Sequence, residues 1–210
     1  QSKFEILINR VARKTNTKRL EDIFDFRRGI FIPTDYYREK KTPVPYIRIK
    51  ELANHGGMDE SKIVYIDAKF LEDKKNKLKE NDLVIAIVGD TIGKTNKIDK
   101  NLAGGYCSNN TGCLRLRNEW VERILPEYTE LLFQSIFIQS QIEQKKAQTG
   151  QPKINDKEIR SISIPILPKT TQKKIADLVS KSHEARKKAK QSLEEVKRKV
   201  EELIENNQNL

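Results

Sequence analysis

Residues Asn81 to Asn96 read NDLVIAIVGDTIGKTN, and the rest of the chain is organised around this stretch. Leu83 to Val88 is the longest uninterrupted apolar run in the sequence. A short apolar run between polar turn residues is the pattern of a strand buried on both faces. It leads into Gly89, Asp90, Thr91, Ile92, Gly93, Lys94 and Thr95, a polar loop with two glycines. A buried strand that feeds such a loop is how a rigid core presents functional groups. Whether the loop cradles a nucleotide decides most of the function.

A phosphate-binding P-loop needs a glycine, four residues, then Gly-Lys-Ser/Thr. Gly89 stands one place too close to Gly93-Lys94-Thr95, and Val88 occupies the required position. The cradle also needs a helix directly after the threonine, with its N-terminus facing the phosphates. Asn96 to Gly105 contains Asp99, Asn101 and Gly104-Gly105 and shows no helical stripe. A basic loop on a rigid strand fits contact with DNA phosphates better than nucleotide hydrolysis.

Composition points the same way. The 210 residues are 36% hydrophobic and 34% charged, with a net charge of +11 and a pI near 9.5. That length suits one domain plus an extension. The positive surplus favours a polyanionic partner, nucleic acid before acidic membrane, with solubility alone as the other account. Cys107, Cys113, His55 and His183 lack the spacing of a zinc site, and the thiols read as reduced, in a cytosolic protein. No apolar run approaches a membrane span. Gln1 in place of Met is expected to mark a processed or excised piece.

Along the chain, Phe4, Leu7, Ile8 and Val11 predict a basic amphipathic helix within a segment 1–16. Residues 17–168 form the expected main domain. Ile23, Phe24 and Phe26 are core candidates, and Phe31 to Pro45, with Pro33, Pro43 and Pro45, is mainly loop. Its Tyr36, Tyr37, Arg38, Lys40 and Lys41 make it aromatic and basic. Tyr46 to Lys50 alternates, with Ile47 and Ile49 inward and Tyr46, Arg48 and Lys50 outward. Ile63 to Ile66 and Cys113 to Arg117 are further strands. Pro126 to Gln148 is expected as one helix, started by its proline. Asn155 with Glu158 forms a capping box, and Ile162, Ile164 and Ile166 belong to a closing strand at a sheet edge or end.

From about Thr171 neither proline nor glycine occurs. The expected helix over 169–210 holds eleven Lys/Arg against seven Asp/Glu, a net +4 of the total +11. Ile175, Leu178, Ala185 and Ala189, then Leu193, Val196, Val200 and Leu203, follow the three-four spacing of a coiled-coil seam, with a stutter where the two sets join. So slender a helix needs a partner helix. The fold class expected is therefore α+β: a mixed, mostly antiparallel sheet domain with a few helices, followed by one long coiled-coil-forming helix.

No catalytic set stands out. Asp35 with Glu39-Lys40 has the residue types of a metal-dependent nuclease, but in a proline-rich loop where chance supplies them. No metal site, cofactor loop or Ser/His/Asp set is expected, and so no cofactor. The ordered features do resemble a family. Leu20 to Gly29, Tyr46-Ile47-Arg48-Ile49-Lys50, Asn81-Asp82-Leu83-Val84 with Thr91-Ile92-Gly93-Lys94, Gly150 before Ile154-Asn155, and Ile164-Pro165-Ile166-Leu167-Pro168 before Gln172-Lys173-Lys174-Ile175-Ala176 occur in sequence. Together they look like one target-recognition domain and adjoining helix from the specificity subunit of Type I restriction-modification systems. Family members usually carry Pro-Leu-Pro-x-x-Glu-Gln where this chain has Pro165 to Gln172, and a full subunit has two such domains.

The resemblance implies a domain that reads one half of a split double-stranded DNA target. Its helix would pair antiparallel with a second helix, from another recognition domain or a second copy. It would also dock methyltransferase subunits, which bind S-adenosylmethionine, and join a restriction subunit in the full complex. The chain itself would not be an enzyme, whether half-subunit, fragment or the tail of a single-chain restriction-modification enzyme. The residues expected at DNA are Arg48 and Lys50, then Thr91, Lys94, Thr95 and Lys97, then Asn109 and Asn110, and Gln148, Thr149, Gln151 and Lys153. Lysines suit phosphates, while Arg48 and the Asn and Gln amides suit base edges.

Overall fold

Burial of one strand on both faces sets the architecture. The computed structural model describes residue 6 and residues 15–38, 44–52, 58–67, 74–147 and 152–207. The elements, in chain order, are β1 (Asn16–Arg19), α1 (Leu20–Ile23), β2 (Phe24–Arg28), β3 (Tyr37–Arg38), β4 (Val44–Ile47), β5 (Val64–Ile66), β6 (Leu83–Ala86), β7 (Thr95–Lys97), β8 (Tyr106–Cys107) and β9 (Thr111–Leu116). There follow α2 (Asn118–Val121), α3 (Pro126–Gln134), α4 (Ile136–Lys145), α5 (Asp156–Arg160), β10 (Ser163–Ile166) and α6 (Lys169–Asn207).

The strand expected at the centre is there. An antiparallel sheet runs in the order β2-β9-β6-β7, and a second sheet in the order β3-β5-β4-β8, mixed because β4 and β8 are parallel. β1 and β10 form a separate antiparallel pair. Leu83 and Ile85 point into a core with Phe24, Phe26, Leu114, Phe133 and Ile138. Val84 and Ala86 point the other way, against Ile47, Leu52, Ile98, Cys107 and Cys113. β6 is thus the shared wall of two cores, helices on one side and the second sheet on the other. Each such large apolar side chain contributes roughly 1.5–3 kcal/mol by leaving water.

Asp82 fixes where this strand begins. Its carboxylate is 2% exposed and takes a two-pronged contact from Arg115, Nε to Oδ1 at 2.8 Å and Nη2 to Oδ2 at 2.6 Å. The Lys79 amide and the Cys113 thiol donate to Oδ2 as well. Hydrogen bonding to Asp82 raises the Arg115 pKa. Since Leu83 faces Leu114 across the ladder, this pair locks the β6–β9 register.

Two expectations change. The outward face assigned to Tyr46 to Lys50 does not exist: β4 ends at Ile47, all four of its residues are buried, and Ile49–Glu51 is a 3-10 turn. Tyr46 is enclosed because β4 lies inside its sheet, between β5 and β8. The helix expected over 126–148 is two. Ser135 leaves helical geometry at φ −70° and ψ 151°, and its hydroxyl oxygen accepts from the Ile138 amide as the cap of α4. A serine that competes with the backbone ladder ends one helix and starts the next. The capping role of Asn155 is as expected, its side chain accepting from Glu158 N at 2.9 Å. The helix expected at 4–11 lies outside the described residues apart from Ile6.

α6 springs from the domain through a buried joint. Gln172 is 1% exposed; its Oε1 accepts from Leu125 N, and its Nε2 donates to Arg123 O and Leu167 O. Less than one turn on, Ile175 packs against the domain's own core, so this residue is not free for a partner helix. His183 Nε2 lies 3.6 Å from the buried carboxylate of Glu130 on α3. Beyond it Leu193, Val196, Val200 and Leu203 are all about half exposed or more. Among the described residues no helix is long and apolar enough to cross a membrane.

Asp82→Ala would strand the half-buried Arg115 cation. It should lower unfolding free energy by about 3 kcal/mol, seen as a lower urea midpoint. Burial pushes the Cys107 thiol up to about 11, and Cys113 well above its usual value. Both therefore hold their protons at neutral pH, and a maleimide probe at pH 8 should label neither until the protein is unfolded in urea.

Candidate nucleic-acid interface

The Gly89–Lys94 loop is the tip of a β-hairpin. Ala86 N donates to Lys94 O, and Gly93 N donates to Ala86 O, continuing the β6–β7 ladder. A strand, not a helix, follows Lys94. The loop therefore has no helix N-terminus to offer a phosphate, as the missing helical stripe over Asn96 to Gly105 indicates. Gly89 and Gly93 have φ of +83° and +89°, a conformation that strains any side chain. Gly93 has a second constraint, because a Cβ there would stand 2.7 Å from Gln139 Oε1. Gln139 Nε2 in turn donates to Gly93 O at 3.0 Å and to Phe133 O. The helical layer thus holds the hairpin tip from behind.

At the end of β6 the backbone of Ile87 joins three loops. Its amide donates to Asn110 O at 3.0 Å, and its carbonyl accepts from Ile154 N at 3.1 Å. Val88 bridges to Lys153, and Gly89 N donates to Pro152 O at 2.8 Å. The hairpin tip, the Asn109-Asn110 turn and the segment around Lys153 are therefore neighbours. Thr91, Asn109, Asn110 and Lys153 are exposed there, and Lys94 is half-buried. Lys50 is exposed on its 3-10 turn. It lines, with Phe31, Asn109 and Asn110, a cleft of about 330 Å³.

Three expected surface residues face inward instead. Arg48 has a side chain 16% exposed; it pairs with the fully buried Glu51 at 2.5 Å, donates to Lys62 O at 3.0 Å, and covers the Tyr37 ring. The charge of Glu51, taken out of water, requires that partner. Thr95 is 1% exposed and its hydroxyl donates to Gly93 O at 2.8 Å. Lys97, 13% exposed, lies between Asp99 at 3.3 Å and Glu127 at 3.7 Å. Their work is to hold the loops. Gln148, Thr149 and Gln151 lie outside the described residues, as do Glu39 and Lys40 of the nuclease-like set; Asp35 sits on an exposed 3-10 turn.

Phe31, 72% exposed at the rim of the cleft, was not among the residues expected at the surface site. The signal for it was an aromatic two residues before Pro33, in a loop with no apolar period to bury it.

The model of the Type I restriction modification DNA specificity domain matches residues 13–198. A comparison with curated protein sequences returns no match. Among solved structures, the chain is similar to the Type-I restriction-modification system S subunit from M. genitalium, with a TM-score of 0.57, 16% identity, and coverage of 80% of this chain and 39% of that one. It is also similar to the HsdS subunit from Thermoanaerobacter tengcongensis, at a TM-score of 0.55, 16% identity and coverage of 89% and 45%. The type IIG restriction endonuclease BpuSI matches with a TM-score of 0.56, 13% identity and coverage of 85% and 28%. At these identities the likeness is one of fold. The chain spans less than half the length of each of these proteins.

Gly89→Ala should cost about 1 kcal/mol of stability from its φ alone. Gly93→Ala should cost more, since it adds the collision with Gln139. Chemical denaturation of the two variants side by side measures the difference.

Proposed function

We infer the function from one premise: the chain belongs to the Type I restriction modification DNA specificity domain family. On that premise it binds double-stranded DNA and reads one half of a bipartite target. It supplies recognition and no chemistry. Methyltransferase subunits, joined by a restriction subunit in the complete assembly, perform the reaction on the DNA it selects.

The observation that carries this reading is the convergence of exposed and half-buried polar groups around the Ile87 backbone. Lys94 and Lys153 suit phosphates, as does Lys50 at the neighbouring cleft, and Thr91 suits a backbone oxygen. Asn109 and Asn110 carry amides, which pair with base edges. Gln148, Thr149 and Gln151, near Lys153 in sequence, are proposed as further DNA contacts on sequence grounds. Arg48, Thr95 and Lys97 are withdrawn from it, because their side chains serve the fold.

The seam of α6 from Leu178 through Ala185, Ala189, Leu193, Val196, Val200 and Leu203 takes a second helix, supplied by another recognition domain or by a second copy of this chain. The same helix seats the methyltransferase. A second reading is the recognition tail of a single-chain restriction-modification enzyme, favoured by the fold shared with a type IIG restriction endonuclease.

Lys94→Ala should weaken binding to every duplex and flatten the plot of log affinity against log salt by about one unit. Titration of labelled duplex DNA at several salt concentrations measures this. A slope identical to the parent's removes Lys94 from the interface, and salt-independent or absent binding by the parent chain overturns the DNA-reading function.

A further inference from the structure

The cleft beside the Asn109-Asn110 turn is built differently from the lysine-bearing loops. Ile30 and Ser108 form a parallel bridge, with Ile30 N donating to Cys107 O at 2.9 Å. Ser108 N donates to Ile47 O at 2.8 Å. Phe31 and Asn109 are the next residues on these two paired chains, so they leave the sheet side by side. The Tyr46 hydroxyl donates to Ile30 O at 2.7 Å and fixes the base of the Phe31 arm. Thr111 fixes the other arm, its amide and hydroxyl both donating to Ser108 O. Asn110 O is held by Ile87 N. The backbone is locked while the Phe31 ring and both amides remain exposed.

The chemistry of the cleft is selective. Arg48 at its wall is neutralised by Glu51, so the guanidinium suited to guanine is already engaged. A side-chain amide sets an NH2 donor beside a carbonyl acceptor, the complement of the adenine N7 acceptor and N6 donor. An exposed aromatic ring beside it suits the thymine methyl group, which lies on the same groove edge of the same pair. Lys50 at the rim suits the flanking phosphate.

We propose that this cleft reads one A·T base pair in the major groove, an inference that rests on the DNA-reading function above. Asn109 or Asn110 takes the adenine edge, and Phe31 covers the thymine methyl. Both arms are pinned before binding, so little ordering opposes the contact.

The test is selection from random duplex DNA by the 210-residue chain, alone and together with a methyltransferase subunit. Phe31→Ala, Asn109→Ala and Asn110→Ala are run in parallel, with thermal melting to confirm that these exposed substitutions leave folding intact. The expected result is a parent consensus containing an A·T pair whose preference falls about tenfold in Phe31→Ala and in one asparagine variant, at the same position. In that site, uracil in place of thymine should weaken the parent severalfold and leave Phe31→Ala unchanged; 7-deazaadenine should do the same for the asparagine variant. A parent consensus that the variants leave intact, or alter at a G·C pair, overturns the cleft assignment and leaves the DNA-reading function standing. No consensus from the parent in either preparation overturns both.

Discussion

The constraint on which the structure depends is that β6 has no solvent face. In an antiparallel sheet one face commonly meets water. Here Leu83 and Ile85 serve one core while Val84 and Ala86 serve another. Such a strand cannot slip by one residue without exchanging the contents of both cores. The Asp82–Arg115 pair enforces the same register with charge, at the mouth of the strand. Everything at the other end then has a fixed origin. The Gly89–Lys94 hairpin, the Asn109-Asn110 turn and the Lys153 segment are loops tied to one backbone position, Ile87.

Much of this was legible in the residues. The central strand announced itself as an unbroken apolar run, the long helix as a seam free of proline and glycine, and the cap at Asn155 as a spaced pair. The missing helical stripe after Thr95 anticipated that no helix follows Lys94; the strand that does follow it was not foreseen. The inward turns of Arg48 and Lys97 were not legible from period alone, because a charged residue reads as exposed unless its partner is known. Glu51 stood three residues from Arg48, near enough to be suspected. Glu127 stands thirty positions from Lys97, and only the fold brings them together. The break at Ser135 was hidden for a related reason. Its flanks carry an unbroken helical stripe, and the choice between ladder and cap is made by packing. Leu131 and Ile136, apolar yet exposed on either side of it, are the trace of that choice.

The candidate surface divides into parts with different physics. The hairpin tip and the Lys153 segment present point charges, whose attraction is long-ranged and indifferent to sequence. The Phe31 cleft presents shape and directed hydrogen bonds on a locked frame. A surface of this kind can find a duplex by charge and judge it by contact.

The joint at the base of α6 has a mechanical consequence. Gln172, Ile175 and His183 clamp the first turns of the helix, leaving some 36 Å of cantilever between His183 and Asn207 at about 1.5 Å per residue. A tilt of about 6° at the clamp would sweep the tip through nearly 4 Å, more than the ~3.4 Å step between base pairs. If the tip carries a second reader, the stiffness of this three-residue clamp sets the tolerance with which two distant readers are placed against each other.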